Sequence, residues 1–189
     1  MASYSAYQWI PWQLFCSAVD GTNHTFRSYP AAPFGAKPTP FSASTALNGL
    51  YFNTNGQSVS TIIPRINNID VARPIDIGIE FLLATDALAA GTAQFGLSYV
   101  VVNSGPGGTS LDSPTFTSLA VPLFTHTGAS GYAGRMYSTM ESPIPAYAMT
   151  SQSQSLLISV SSVSGVLFTS TQVAFQGLNI YYSSAVTVT

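Results

Sequence analysis

Two histidines, one cysteine and a pair of carboxylates are the side chains of this sequence whose types and placement invite a chemical reading. His24 sits in a proline-rich stretch, and His126 sits in Phe124-Thr-His-Thr-Gly128. A metal site built on two histidines needs a carboxylate nearby and a spacing such as H-x-H or i,i+4, so that both imidazoles reach one ion. Neither condition is met, and both residues are expected to be hydrogen-bonded loop histidines. Cys16 with a histidine is the minimum for a thiol nucleophile. It lies among aromatic residues, where a free cysteine acts as a small buried apolar group. As the only cysteine it makes no intrachain disulfide and excludes zinc sites that need several thiolates.

Asp76 and Glu80 share one face of a single predicted strand. Paired carboxylates serve as acid and base in glycoside hydrolysis, but they face each other across a cleft. Two on one strand fit the solvent or interface side of a sheet, with Arg73 or Arg65 as counter-ions. No calcium-loop spacing surrounds Asp76, Glu80 or Asp86. Asn23-His-Thr25 matches a glycosylation sequon, read as a chance match. Asn103-Ser-Gly-Pro-Gly-Gly108 lacks the lysine and following helix of a phosphate-binding loop, so it reads as a loop tip. No catalytic residue, metal or cofactor is expected.

The elements around these residues are read from period-two patterning. In Ile75-Asp-Ile-Gly-Ile-Glu-Phe-Leu-Leu83, Ile75, Ile77, Ile79, Phe81 and Leu83 share one face. Such alternation predicts a half-buried strand. Phe95, Leu97, Tyr99 and Val101 alternate with Gln94, Gly96 and Ser98, and Leu156, Ile158 and Val160 alternate with Ser155, Ser159 and Ser161. Weaker strand candidates are Ala46–Asn53, Ser58–Ile63, Phe116–Phe124 and Arg135–Met140. In the last strand Val173 and Phe175 have one parity while Leu178, Ile180 and Tyr182 have the other. A β-bulge at or beside Gly177 restores a common face. Asn53–Gly56, Asn67-Asn68, Asn103–Gly108 and Gly128–Gly131 supply turns. No segment keeps a helical period over three turns. The expected fold is all-β, an antiparallel sandwich or barrel over residues 46–189.

Residues 1–45 read as an extended N-terminal arm. Pro11, Pro30, Pro33, Pro38 and Pro40 lack the N–H a sheet ladder needs. Tyr7, Trp9, Trp12, Phe15, Phe26, Tyr29, Phe34 and Phe41 want a surface to lie on, either this chain's sheet or a neighbour's. They are the candidate interface residues. The opening segment has no basic n-region, and Pro11 and Gln13 interrupt its apolar run, so no cleaved signal is expected.

Charge is nearly absent. Only 6% of the 189 residues are Asp, Glu, Lys or Arg, against roughly 25% in an ordinary soluble domain. Hydrophobic residues still make up 46%, ample for a core. The basic residues Arg27, Lys37, Arg65, Arg73 and Arg135 are scattered, which excludes a nucleic-acid face or a polybasic membrane patch. A surface this short of charge suits a chain covered by neighbours. Self-association as a dimer or trimer is expected, almost insensitive to salt.

One further pattern concerns the order of the strands. Gly49-Leu-Tyr-Phe52 precedes Ser60-Thr-Ile-Ile-Pro64, then Ile75–Phe81, a loop with Gly91, Gln94-Phe-Gly-Leu-Ser-Tyr99, and a closing Gly177-Leu-Asn-Ile-Tyr-Tyr182. This succession resembles the jelly-roll virion structural proteins of tailed bacteriophages, the head-decoration, cement and fibre-associated β-sandwiches. It departs from them in lacking a tryptophan in the strand at 94–102. The resemblance implies a single jelly-roll-like antiparallel β-sandwich and a non-enzymatic subunit of the virion that bridges major capsid proteins, with the arm supplying contact area. Removing residues 1–41 is then expected to leave the sandwich folded. The alternatives are a tail, baseplate or fibre component that contacts the host receptor, and a carbohydrate-binding module with aromatic residues in a row on an exposed face.

Overall fold

Alternating apolar residues can bury one side of a strand only if a second apolar surface covers it, and here two sheets cover each other. The computed structural model describes residues 6–15, 39–40, 50–52, 54–63, 66, 68–83, 90–103, 107–109, 114–128, 136–138, 142–145, 148–151, 154–170 and 173–185. The strands are β1 (Ala6–Pro11), β2 (Thr39–Pro40), β3 (Leu50–Phe52), β4 (Ser58–Ile63), β5 (Ile75–Leu83) and β6 (Gly91–Val102). They continue with β7 (Thr117–Leu119), β8 (Phe124–His126), β9 (Met136–Ser138), β10 (Ser142–Ile144), β11 (Ser155–Ser164) and β12 (Val173–Tyr182). One short helix, α1 (Val166–Ser170), precedes the last strand.

The strand pairs are nested. β3 pairs with β12, β4 with β11, β5 with β9 and β10, and β6 with β7 and β8, all antiparallel. The chain is thus one long hairpin folded over itself. Two further pairings, β5 with β12 and β6 with β11, roll that hairpin into two sheets. The first sheet runs β10-β5-β12-β3-β2, with β1 on β12 and β9 on β5. The second runs β4-β11-β6-β7, with β8 on β6. Two packed antiparallel sheets are the sandwich that the patterning predicts, and the nested pairing is jelly-roll connectivity.

The predicted inward faces are the observed ones. Ile75, Ile77, Ile79, Phe81 and Leu83 of the first sheet meet Phe95, Leu97, Tyr99, Leu156, Ile158 and Val160 of the second. Phe95 sits where the sheets and the helix converge. Its ring centroid lies 6.2 Å from Phe52, 5.0 Å from Phe81 and 5.2 Å from Phe168. The first two belong to the opposite sheet and the third to α1. The pairs with Phe52 and Phe168 are edge-on and the pair with Phe81 is tilted, and such contacts add to the burial of the rings themselves. β5 is more buried than a half-buried strand, because Asp76 and Leu82 on its outward face are covered too. It runs through the middle of its sheet, flanked on both edges.

The bulge lies where the parity change puts it. Phe175 faces Phe81 and Gly177 faces Glu80, so Gln176 is the extra residue. Gly177 has φ +153°, and a Cβ there would sit 2.2 Å from the Ile10 carbonyl oxygen. Only glycine lets β1 approach β12 this closely. The Asn53–Gly56 turn is equally local in cause. Gly56 takes φ +84°, and its N–H donates to the Ser162 carbonyl at 2.6 Å. The Ser162 hydroxyl then donates to the Thr54 carbonyl at 2.7 Å.

Part of the N-terminal arm belongs to the sandwich. β1 pairs with β12 over six positions, from Ala6 opposite Tyr182 to Pro11 opposite Gly177. A single 3-10 turn, Trp12–Leu14, then drops Phe15 into the core, edge-on to Phe175 at 4.9 Å. Proline ends β1 and does not break it, since Pro11 is its last residue. Of the weaker strand candidates, Phe116–Phe124 splits into β7 and the start of β8. β10 contains Pro143 and carries no alternation long enough to predict it.

Candidate functional site

The outward face of the first sheet gathers the residues with the most chemical character. Side chains that point outward from β1, β12 and β5 stand in rows set by the strand register. Tyr7, Tyr181 and Asp76 form one row, Trp9, Asn179 and Gly78 the next, and Pro11, Gly177 and Glu80 the third. Each residue is there because its strand alternates. Ile10, Leu178, Ile180, Ile77 and Ile79 go inward, so their neighbours must go out.

The geometry of these rows is specific. Trp9 lies across the bulge, and a Cβ at Gly177 would be 2.8 Å from its Cη2 and 2.9 Å from its Cζ2. The indole therefore rests on bare backbone. Tyr7 and Tyr181 are neighbours at 6.4 Å between ring centroids, tilted by 40°. The Asn179 side-chain amide donates a hydrogen bond to the Glu80 carboxylate. Both residues are half-buried.

Burial raises the Glu80 pKa above its ordinary value, and the hydrogen bond from Asn179 opposes that rise. A raised carboxyl pKa means the folded chain holds the proton more tightly than the unfolded chain. The stability this contributes is complete below the unfolded carboxyl pKa, about 4.3, and disappears as pH rises through the folded value. We expect stability to fall modestly over that window, and Glu80→Gln to remove that part of the pH dependence. Denaturant unfolding of both proteins between acid and neutral pH measures it. Parallel curves for the two proteins would refute it.

The other residues singled out in the sequence do not converge. His126 ends β8 in the buried layer, so it is a strand residue and not a loop one. The ion pair of Arg73 is with Asp70, at 3.9 Å and three residues away, on the exposed turn before β5. Among the described residues no three His, Cys, Asp or Glu side chains come together as a metal site. Asn103, at the β6 end of the Asn103–Gly108 run, is tied down just beyond β6, while residues 104–106 lie outside the described residues. The Thr109 hydroxyl accepts from the Asn103 N–H at 3.0 Å, and Gln154 Nε2 donates to Asn103 Oδ1 at 2.7 Å. Of the candidate interface residues, Tyr7 and Trp9 are exposed, Trp12 packs half-buried against the core, and Phe15 is inside it. Phe26, Tyr29, Phe34 and Phe41 lie outside the described residues, as do Cys16, His24, Arg65 and Asp86. The Asn179–Glu80 couple was missed in the sequence, because it joins residues 99 positions apart whose meeting depends on the register across the bulge.

The second sheet has the opposite character. None of its five strands contains Asp, Glu, Lys or Arg. On the side away from the core Ser60, Ser159, Ser98 and Ser118 stand directly opposite one another across four strands; Ser118 is exposed, and the other three are buried. Next to this serine row is a shallow groove of about 500 Å³ lined in part by Gly96, Ser118, Ala120, Ser161 and Val163. Leu123, Val163 and Val166 are exposed around it.

The fold and these two faces define a jelly-roll β-sandwich with a charge-free side and an aromatic, carboxylate-bearing side. No protein-family model and no curated protein matches this sequence.

Proposed function

We propose that this protein is a non-enzymatic virion structural protein of a tailed bacteriophage, a capsid decoration subunit that bridges major capsid proteins on the assembled head. The observation that carries this reading is the absence of Asp, Glu, Lys and Arg from all five strands of the second sheet. Charged residues are the usual cover of a sheet that faces water, and they are depleted in the centre of protein interfaces. The accessible part of this face, the groove at Gly96, Ser118, Ala120, Ser161 and Val163, can be dehydrated against a neighbour without stranding a charge. The jelly-roll connectivity supports the reading, together with the resemblance of the strand succession in the sequence to the head-decoration and cement proteins of tailed bacteriophages.

The second sheet's groove faces the shell in this arrangement, and copies of the chain contact one another as dimers or trimers. A lattice multiplies modest contacts, so each subunit needs only a standard interface of about 1,600 Å² to be retained. The test is to purify particles and determine copy number by quantitative mass spectrometry and location by electron cryomicroscopy. We expect a fixed ratio to the major capsid protein, and particles without the subunit that burst at lower temperature. Ser118→Glu, which places a charge on the groove, is expected to weaken co-sedimentation with bare capsids at least about tenfold. Presence only at the tail tip would replace decoration by a receptor-contacting fibre role.

A further inference from the structure

The outward face of the first sheet has a composition that capsid contact does not require. We propose that the Tyr7, Trp9, Asn179 and Glu80 face is a binding site for a neutral hexopyranose chain. It is a second site, independent of the capsid-facing role.

Three observations carry it. The first is aromatic exposure on a paired strand. Tyr7 is 69% exposed and Trp9 39% exposed, although β1 is hydrogen-bonded along its length to β12. A sheet position that needed only to face water would take a polar side chain. The second is the floor. Gly177 and Gly78 carry no side chain, and they sit in the two rows that hold Trp9 and Glu80. The far edge of the indole, Cη2 and Cζ2, lies over Gly177, so the ring reaches from the β1 column across β12 towards the β5 column. Those columns are two strand spacings apart, roughly 9–10 Å. The third is the polar couple. Asn179 and Glu80 are tied together beside the indole, half-exposed, with acceptor and donor capacity beyond the bond they share.

A hexopyranose matches this set. It has an apolar C–H face, which an aromatic ring covers, and a rim of hydroxyls that both donate and accept. A carboxylate accepts two such hydroxyls, and a carboxamide accepts one and donates to another. Burial of an aromatic face with a few placed polar groups is the usual construction of a small-ligand site. The described part of this face contains no Lys or Arg, and it carries Asp76 and Glu80, so phosphorylated or sulfated ligands are repelled.

The test uses the full chain with three neutral probes, cellohexaose, maltohexaose and mannohexaose. The indole N–H signal of Trp9 and the side-chain amide of Asn179 are followed by NMR during titration. At least one probe is expected to shift both signals with a dissociation constant in the micromolar to millimolar range. Glu80→Gln keeps the shape and removes the charge-assisted bonds, and it is expected to weaken binding about tenfold or more. Trp9→Ala is expected to abolish it, while Trp9→Phe, which keeps a ring on β1, retains a measurable part. Circular dichroism on each variant confirms that it is folded. The proposal is overturned if none of the three probes moves either signal at about 10 mM, well above the dissociation constants of weak sites. Binding that survives both Trp9→Ala and Glu80→Gln overturns it too. Conversion of an oligomer to a monomer by Trp9→Ala, without saccharide binding, makes the face a self-contact instead.

Discussion

A chain lacking residues 1–15 is expected to lose most of its stability, even though its sequence there reads as an arm. The deletion removes β1 and its six-position ladder on β12, leaving that edge of β12 without its partner from Gly177 to Tyr182. It also removes two core side chains, Ile10 at 2% exposure and Phe15 at 6%. Burying side chains of this size stabilises by about 1.5–3 kcal/mol each, so the two together account for roughly 3–6 kcal/mol. Whole domains are stable by only about 5–15 kcal/mol. Leu178 and Phe175 lose their cover as well, which leaves apolar surface open to water. The expectation that the sandwich stays folded without residues 1–41 is therefore revised. Urea unfolding of the full chain and of a 16–189 fragment, which has lost both tryptophans, is followed for both by far-ultraviolet circular dichroism and tyrosine fluorescence and measures the difference. Tyr7→Ser is the control, because that side chain is outward and should change stability by less than about 0.5 kcal/mol. A fragment within about 1 kcal/mol of the full chain would show that β1 is an accessory. The same result bears on any capsid-binding experiment, since loss of binding on deleting the arm would then report unfolding and not lost contacts.

Phe95→Ala is expected to be the most damaging single substitution within the sandwich. The ring is buried and touches Phe52 and Phe81 across the sheets and Phe168 from the helix. Removing it loses the transfer free energy of the ring and leaves a cavity whose walls come from three separate elements. Walls held by two hydrogen-bonded sheets cannot close in. The cost should be about 3–5 kcal/mol, the range for buried Phe→Ala. For a chain of this size that corresponds to a fall in Tm of roughly 6–20 °C. Phe95→Leu keeps much of the volume and should cost less than half as much. Calorimetric scans of the three proteins check the ranking, and equal melting temperatures for Phe95→Ala and Phe95→Leu would contradict the packing argument.

Much of the fold was legible because alternation is a local code. Ile75 to Leu83, Phe95 to Val101 and Leu156 to Val160 each declare which face is inward, and a strand's side chains have only two directions to take. The bulge was legible for the same reason, since a parity change between Phe175 and Leu178 has no other simple remedy. β1 was not legible. Its alternation of Tyr7, Trp9 and Ile10 is short, is surrounded by proline-rich sequence and puts aromatic rings outward, against the usual pattern. Only the uncovered edge of β12 beside the glycine bulge makes Ala6–Pro11 a strand.

The sequence by itself determined that this protein would be an all-β sandwich with very few charges and a single cysteine, because composition and period-two patterning act residue by residue. Where the few charges lie was decided by the tertiary structure. Asp76 and Glu80 stand on the first sheet and none on the second, which gives the molecule two unlike sides. The meeting of Trp9, Asn179 and Glu80 was decided there too. They come from three strands far apart in the chain, and their alignment follows from hydrogen-bond register and from a single extra residue at the bulge. Register is a property of paired strands, and no one strand carries it alone.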